Sequence, residues 1–284
     1  MVIAFIGAGF MGYGIALNLL RKNHAVRVIA HRNRERVEQL VSHGAVEVDT
    51  YEKLLDQADA VISCVSTAEQ FQKVLDQAEP ILKTVTLWLD CTTSRPDVAE
   101  KAALRLSSCG VGFADAPVTR GPKDAEDGRL ISLVGAEPEV YEKAHALIAC
   151  YSESIIHLGP VGSGLRTKLI NNFITMGQVA LVVEAMKAAD RFGIDRQVLY
   201  NILIQGAANS GTLKKMVEPA LAGDYTGHAF SLGNGAKDVF YGSEMHAGSE
   251  TGQILSEALS NYYRTQLSVH PDTDLLSELL KPEC

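Results

Sequence analysis

Through the first half of the chain, short apolar runs alternate with longer stretches whose apolar positions recur every three to four residues. VIAFI (2–6), AVRVIA (25–30), AVISC (60–64) and VTLWLD (85–90) have strand length and are rich in β-branched residues, and each predicts a buried strand. GYGIALNLLRK, RERVEQLVSHG, AEQFQKVLDQA and RPDVAEKAALRLSS lie between or after them and carry helical periodicity. This alternation predicts an α/β domain built on a parallel, doubly wound sheet with crossover helices. A further apolar run, VGF (111–113), leads into DAPVTRGPKDAEDGRL (115–130). A strand RLISLVG (129–135), a helix PEVYEKAHALIAC and a strand SIIHL follow.

Near residue 160 the pattern changes. GPVGSG reads as a loop, and LRTKLINNFITMGQVALVVEAMKAADRFG then keeps helical periodicity to Gly193 without an internal proline. That is about 28 residues, or roughly 42 Å at 1.5 Å per residue, too long for a crossover helix and suited to a spine joining two domains. The rest predicts helices only: DRQVLYNILIQ, GTLKKMVEPALAG, LGNGAKDVFYGSEMHAG, TGQILSEALSNYYRTQL and a short TDLLSELLK. The expected organisation is a domain over 1–161 and an all-α domain over 162–284 that begins with the interdomain helix.

The 284 residues are 46% hydrophobic and 21% charged, an ordinary globular composition with enough chain for two domains. The formal net charge of -8 argues against a general nucleic-acid or anionic-membrane partner. Five scattered cysteines with no C-x-x-C pair, and histidines without ligand spacing, point to reduced thiols, no metal and a cytoplasmic setting. The apolar opening reads as strand and helix rather than a secretory leader, because it lacks a basic start and is interrupted by glycines. No other stretch reads as a membrane span.

VIAFIGAGFMGYGIALNLL gives a strand, then Gly7, Gly9 and Gly12 in a G-x-G-x-x-G turn, then a helix. Gly7 suits the tight turn, Gly9 lets the backbone approach a pyrophosphate, and Gly12 lets helix and strand pack closely. The first-turn N–H groups around Phe10 and Met11 and the helix dipole favour the phosphate charge. The second strand ends in HRNRERV, where an NAD-binding turn usually carries an acid for the ribose 2'-hydroxyl. His31, Arg32 and Asn33 stand there instead, followed by Arg34. A guanidinium suits a 2'-phosphate, so NADP(H) is the expected cofactor, with NAD(H) open; a solvated basic helix start is the plainer reading of the same residues.

FIGAGFMGYGIALNLL, DCTTSRP, DAPVTRGPKDAEDGRL and GSGLRTKLINN follow one another in this order, and GNGAKD lies further on. With these five stretches the whole chain resembles the β-hydroxyacid dehydrogenases, the group that includes 3-hydroxyisobutyrate dehydrogenase and the glyoxylate and succinic semialdehyde reductases. The resemblance implies a Rossmann domain, a helical C-terminal domain, and an active site in the cleft between them. Lys168 and Asn172 are four apart on the spine helix and share a face. In the reducing direction Lys168 can give a proton to the aldehyde oxygen while Asn172 holds that oxygen. The lysine then has to be shifted from about 10.4 toward neutrality by burial or a neighbouring cation, for which Lys237 is the candidate. In the family, turns matching CVST and DCTTS line the ribose and nicotinamide, which carries Val65, Ser66 and Thr93 over as cofactor residues and Lys237 as a residue for cofactor or substrate. Helix capping is the plainer role for the small polar ones.

The stretch DAPVTRG matches the family's substrate loop, commonly D-A-P-V-S-G-G, whose hydroxyl and glycine N–H groups bind the substrate carboxylate. Thr119 keeps the hydroxyl and Gly121 one glycine, but Arg120 replaces the other. The expectation is that Arg120 meets the anionic end of the substrate, with solvent or the cofactor phosphate as its other possible destinations. Gly14 and Ile15 also depart from the pattern, and packing is the effect expected of them. The resemblance, with the NADP(H) expected from the end of the second strand, implies a reductase of a small anionic aldehyde acid, reversible as a hydroxy acid dehydrogenase, and the apolar spine helix suggests assembly as a homodimer or homotetramer. An imine-reductase-like enzyme and a silent NADP-binding scaffold are the alternatives, and the presence of Lys168 and Asn172 counts against both.

Overall fold

The computed structural model describes residues 1–31 and 34–282. The chain falls into two compact units, Met1–Lys168 and Leu169–Cys284.

Among the described residues of the first unit, six strands form one sheet in the order β3-β2-β1-β4-β5-β6, every neighbouring pair parallel. They are β1 (Val2–Ile6), β2 (Ala25–Ile29), β3 (Val46–Val48), β4 (Ala60–Ser63), β5 (Leu87–Asp90) and β6 (Gly112–Asp115). The crossovers are α1 (Phe10–Arg21), α2 (Arg34–Ser42), α3 (Tyr51–Leu55), α4 (Ala68–Ala78) and α5 (Pro96–Ser108). The strand order reverses between β1 and β4, so the carboxyl ends of these two strands flank the crevice where open α/β sheets take ligands. The core strands are apolar on both faces because helices cover both: Ile3, Phe5, Val61, Ile62, Leu87 and Leu89 are buried.

The sheet ends at β6. The next strands, β7 (Val118–Thr119), β8 (Leu130–Val134) and β9 (Ser152–His157), form a separate sheet in which β7 runs antiparallel to β8 and β8 parallel to β9. α6 (Pro122–Glu126) lies between β7 and β8, and α7 (Pro138–Ile148) crosses from β8 to β9.

In the second unit the long helix α8 (Ser163–Arg191) is followed by α9 (Arg196–Leu203), α10 (Gly211–Leu221), α11 (Leu232–Ser243) and α12 (Glu250–Leu267). The unit boundary falls inside the first turns of α8, a few residues beyond the 161/162 break suggested by the sequence. The core is formed by Val179, Val183 and Met186 of α8 with Leu213, Met216, Leu232, Val239 and Tyr263. The last segment, expected as a helix, is a 3₁₀ turn, Leu276–Leu280, with Leu276 and Leu279 packed into this core. α8 is long and apolar enough to cross a membrane by length and composition, with a window of mean hydropathy 1.4. This corrects the expectation that no further stretch has the length and apolarity of a span. A third of that window is buried: Val179, Val183 and Met186 of the helix lie in the helical core, whereas Ile170, Ile174 and Leu181 are exposed.

Candidate active site

The glycine turn is tightly specified. Gly7 has φ +101°, and a Cβ there would lie 2.3 Å from the Cys64 carbonyl oxygen, so only glycine fits. A Cβ on Gly12 would lie 2.0 Å from the Gly7 oxygen, whereas nothing lies within 4 Å of the corresponding point on Gly9. The turn is closed against its own sheet and open over Gly9, the side from which a pyrophosphate would approach. Gly9 caps α1 without a side-chain bond, and no acid stands in the helix's first turn. The backbone dipole of α1 is therefore left for an anion at Phe10, Met11 and Gly12. These features fit a dinucleotide.

His31 is exposed just beyond β2. Arg32 and Asn33 lie outside the described residues. Arg34 has its charge engaged: Nη1 is 3.0 Å from Glu47 and Nε 3.3 Å from Glu38. Arg36, not singled out from sequence, sets its guanidinium 4.3 Å over the exposed ring of Phe10.

The ends of β4 and β5 are joined by a buried polar chain. The Trp88 indole donates to Ser63 Oγ (2.9 Å), Ser63 donates to Asp90 Oδ1 (2.8 Å), and the Thr92 N–H donates to the same oxygen (3.2 Å). The Val65 N–H donates to Thr92 Oγ1 at 3.0 Å, and the Ser66 N–H to Gln70 Oε1 at 3.0 Å. Val65 and Ser66 are thus held at the crevice by bonds to the turn after β5 and to α4, and Thr93 follows Thr92 directly. Asp90 and Thr92, which the sequence reading passed over, are the residues that fix this corner.

Thr119 ends β7, and Gly121 caps α6. Between them Arg120 has φ +79°, a left-handed conformation that favours glycine and that costs another residue roughly 1–2 kcal/mol. Its Nη1 donates to the Arg129 carbonyl (2.6 Å) and to Glu153 Oε2 (2.7 Å). The pairing of β8 with β9 brings Glu153 within reach, so Nη1 of the guanidinium is engaged by protein. α6 is then pressed onto α1. Asn18 Nδ2 donates to Ala125 O (2.7 Å) and Glu126 O (3.1 Å), and a Cβ on Gly14 would lie 2.4 Å from the Ala125 carbonyl carbon. Gly14 is the seat of that contact.

Asp115 closes β6 and is fully buried. Its carboxylate accepts from the Gly162 N–H (2.6 Å) and the Leu165 N–H (2.8 Å), which pins the start of α8. Burial pushes its pKa up to about 7 against the opposing effect of those hydrogen bonds. Lys168 is half-buried on the next turn of α8, and Asn172 one turn further is buried. Asn172 Nδ2 donates to Asp238 Oδ2 at 2.6 Å, and its Oδ1 accepts from Asn171 Nδ2 at 3.0 Å. The other oxygen of Asp238 lies 3.0 Å from Lys237 Nζ, whose side chain is 15% exposed. Lys237 and Asn172, two of the residues expected at the site, are joined through Asp238. The lysine is paired with that carboxylate. Asp238 was legible only as the acid after Lys237 in GNGAKD.

Residues 2–159 match the family described as the NAD binding domain of 6-phosphogluconate dehydrogenase, and residues 162–277 the one described as NAD-binding of NADP-dependent 3-hydroxyisobutyrate dehydrogenase. The chain is 31% identical over 226 residues to the uncharacterised oxidoreductase YkwC of Bacillus subtilis (strain 168), covering 78% of each. It is 30% identical over 214 residues to the 3-hydroxyisobutyrate dehydrogenase of Pseudomonas aeruginosa, covering 74% of this chain and 72% of that one. Among solved structures, Mycobacterium tuberculosis 3-hydroxyisobutyrate dehydrogenase with L-serine superposes with a TM-score of 0.85 at 24% identity, covering 98% and 97% of the two chains, a likeness of fold.

Proposed function

The chain belongs to the β-hydroxyacid dehydrogenase family, NAD(P)-dependent oxidoreductases acting on CH–OH groups, and from that premise we propose that it interconverts a small aldehyde acid and its hydroxy acid with NADP(H). The observation that carries the reading is the α8 pair: half-buried Lys168 one turn before a buried Asn172 whose amide is held by Asp238 at 2.6 Å.

When bound, the nicotinamide supplies or accepts the hydride. In reduction, Lys168 Nζ gives one proton to the carbonyl oxygen as the carbon takes up the hydride; in oxidation, Lys168 receives the hydroxyl proton. Asn172 orients the oxygen with its amide, which Asp238 and Asn171 keep from rotating. The Thr119 hydroxyl and the Gly121 N–H serve the substrate carboxylate. Gly7, Gly9 and Gly12 hold the pyrophosphate, with Val65, Ser66 and Thr93 along the ribose and nicotinamide. The preference for NADP(H) is supported by Ile29, Ala30 and His31 at the end of β2, where no acid stands. The family description matched by residues 162–277 points the same way.

We further place the protein in the cytoplasm as a homo-oligomer; exposed Ile170, Ile174 and Leu181 along one stripe of α8 support a second copy covering that face.

The test is a panel of short aldehyde acids with NADPH and NADH, read by absorbance of the reduced cofactor, on wild type and Lys168→Ala. Turnover with NADPH is expected, with the variant lower by about 10² to 10⁴ and its cofactor binding unchanged. A variant retaining more than about a tenth of the activity would remove Lys168 from the chemistry.

A further inference from the structure

The helix that carries Lys168 is held at its start by a side chain from another element. α8 begins at Ser163, and the N–H groups of Gly162 and Leu165 are taken by one carboxylate, 47 and 50 residues away in the chain. Each oxygen of Asp115 serves one of them: Oδ1 accepts from Gly162 at 2.6 Å and Oδ2 from Leu165 at 2.8 Å. Asp115 is itself fixed through its main chain, whose N–H and C=O pair with Gly135 at 3.1 and 2.8 Å. A Cβ on Gly135 would lie 2.5 Å from Asp115 Oδ1, and one on Gly164 2.8 Å from Oδ2 and 2.3 Å from the Leu133 carbonyl oxygen. Two positions without a side chain therefore let carboxylate and helix start approach this closely. Lys168 stands three residues beyond Leu165, about 4.5 Å further along the axis, and all of these residues lie in the first unit.

Both bonds need the ionised carboxylate. Protonation turns one oxygen into a hydroxyl, a donor facing an N–H donor, and one of the two bonds is lost. Burial, with the neighbouring carboxylate of Asp90, favours that protonated form and pushes the Asp115 pKa up to about 7 against the two amide bonds. The other charged groups around this seat are Asp90 at the end of β5, the Arg166–Glu100 pair (2.6 Å) beside Gly162 and, one turn on, Lys168. We propose that Asp115 is a positioning residue for the reaction: its ionised carboxylate, shared between the Gly162 and Leu165 N–H groups, sets the first turn of α8 and thereby the reach of Lys168 Nζ, so that loss of the charge slows the chemical step without weakening cofactor binding. The proposal rests on the assignment of Lys168 as the proton donor.

The experiment follows kcat for NADPH-dependent reduction of the fastest-reduced short aldehyde acid, glyoxylate and succinic semialdehyde among those tried, from about pH 5.5 to 9. Wild type is compared with Asp115→Asn, which keeps the shape and one acceptor but cannot ionise. In this direction Lys168 has to be protonated, so it lowers the rate only on the alkaline side, and a loss on the acid side reports a different group. Wild-type kcat is expected to fall about tenfold or more below a midpoint near 7, the scale on which a displaced catalytic group costs rate. Asp115→Asn should lose that acid-side fall and keep the alkaline one. Its kcat at about pH 8 should lie tenfold or more below wild type, with cofactor KM within about twofold. An acid-side fall kept by the variant, a kcat within about twofold of wild type, or a change confined to cofactor KM would each overturn the proposal. A second measurement needs neither turnover nor a variant. In amide NMR of wild type, the Gly162 and Leu165 N–H resonances should shift with one common midpoint near pH 7, and resonances that stay still through that range would overturn the proposal. If they titrate while no aldehyde acid is reduced, the proposed activity fails; if they titrate while the variant keeps the wild-type pH profile, the positioning role alone fails.

Discussion

Replacing Gly14 with alanine adds one methyl group at the contact between α1 and α6. The new Cβ would lie 2.4 Å from the Ala125 carbonyl carbon, 2.5 Å from Glu126 N and 2.7 Å from Ala125 Cβ. Non-bonded heavy atoms settle at about 3.5 Å, so α6 has to retreat by roughly 1 Å. That retreat takes the Asn18 bonds to Ala125 O (2.7 Å) and Glu126 O (3.1 Å) out of range and stretches the Arg21 bond to Glu126 O (2.6 Å). At about 0.5–1.5 kcal/mol per bond, plus the cost of a buried amide left short of acceptors, the loss is roughly 2–4 kcal/mol. Alanine's helix propensity returns about 1 kcal/mol, leaving a net destabilisation of roughly 1–3 kcal/mol. Because α6 starts at the residue after Gly121, the displacement also reaches residues 119–121. Urea unfolding should therefore show the lower stability, and steady-state kinetics a substrate KM raised several-fold with cofactor KM nearly constant. An alanine variant as stable as wild type, or one whose cofactor KM alone changes, would refute the seating of α6 on Gly14.

Arg120→Gly removes the strained φ of +79° together with the Glu153 pair, and these effects offset. Stability should stay within about 1 kcal/mol and substrate KM within threefold, whereas a tenfold KM rise would return Arg120 to the substrate. Asp238→Ala takes away the partner of both Lys237 and Asn172, and a loss of about 3 kcal/mol in denaturant unfolding is expected. A loss below about 1 kcal/mol would rule out that pairing as a structural element. His228 has a folded pKa of about 4 against 6.5 unfolded, so the unfolded chain binds the extra proton between these values and His228's contribution to stability falls as pH drops from 6.5 to 4. His228→Asn should flatten that part of the wild-type stability profile, and identical slopes for the two proteins would contradict the burial of a neutral ring.

The doubly wound sheet was legible because VIAFI, AVISC and VTLWLD are strands covered on both faces, and such strands are apolar throughout. β3 and β7 were not, since three and two residues are too short to show a period. The glycine turn could be read position by position because its reasons are local. Arg120 could not: its partner Glu153 is 33 residues away, and only the pairing of β7, β8 and β9 brings them together. The same holds for Asp115 and Asp238. In sequence one is an acid two residues before a proline, the other an acid after a lysine. Their burial is decided by donors 47 and 66 residues distant. The packing role expected of Gly14 was right in kind, but nothing local could name α6 as its partner.

The hold of Asp115 on Gly162 and Leu165 bears on where the polypeptide can be cut. A fragment ending at residue 161, the boundary suggested by the change in hydrophobic pattern, keeps the buried carboxyl group of Asp115 but discards the Gly162 and Leu165 donors. Leaving a buried acceptor unsatisfied costs about 1–3 kcal/mol, and more for a charged one, so such a fragment should fold less stably than one continued past Leu165. The first turn of α8 belongs to the folding unit before it, while its hydrogen-bond ladder continues into the helical unit. Heat or denaturant should therefore melt the protein in one cooperative transition rather than unit by unit, with the α8 amides among the last to exchange their hydrogens.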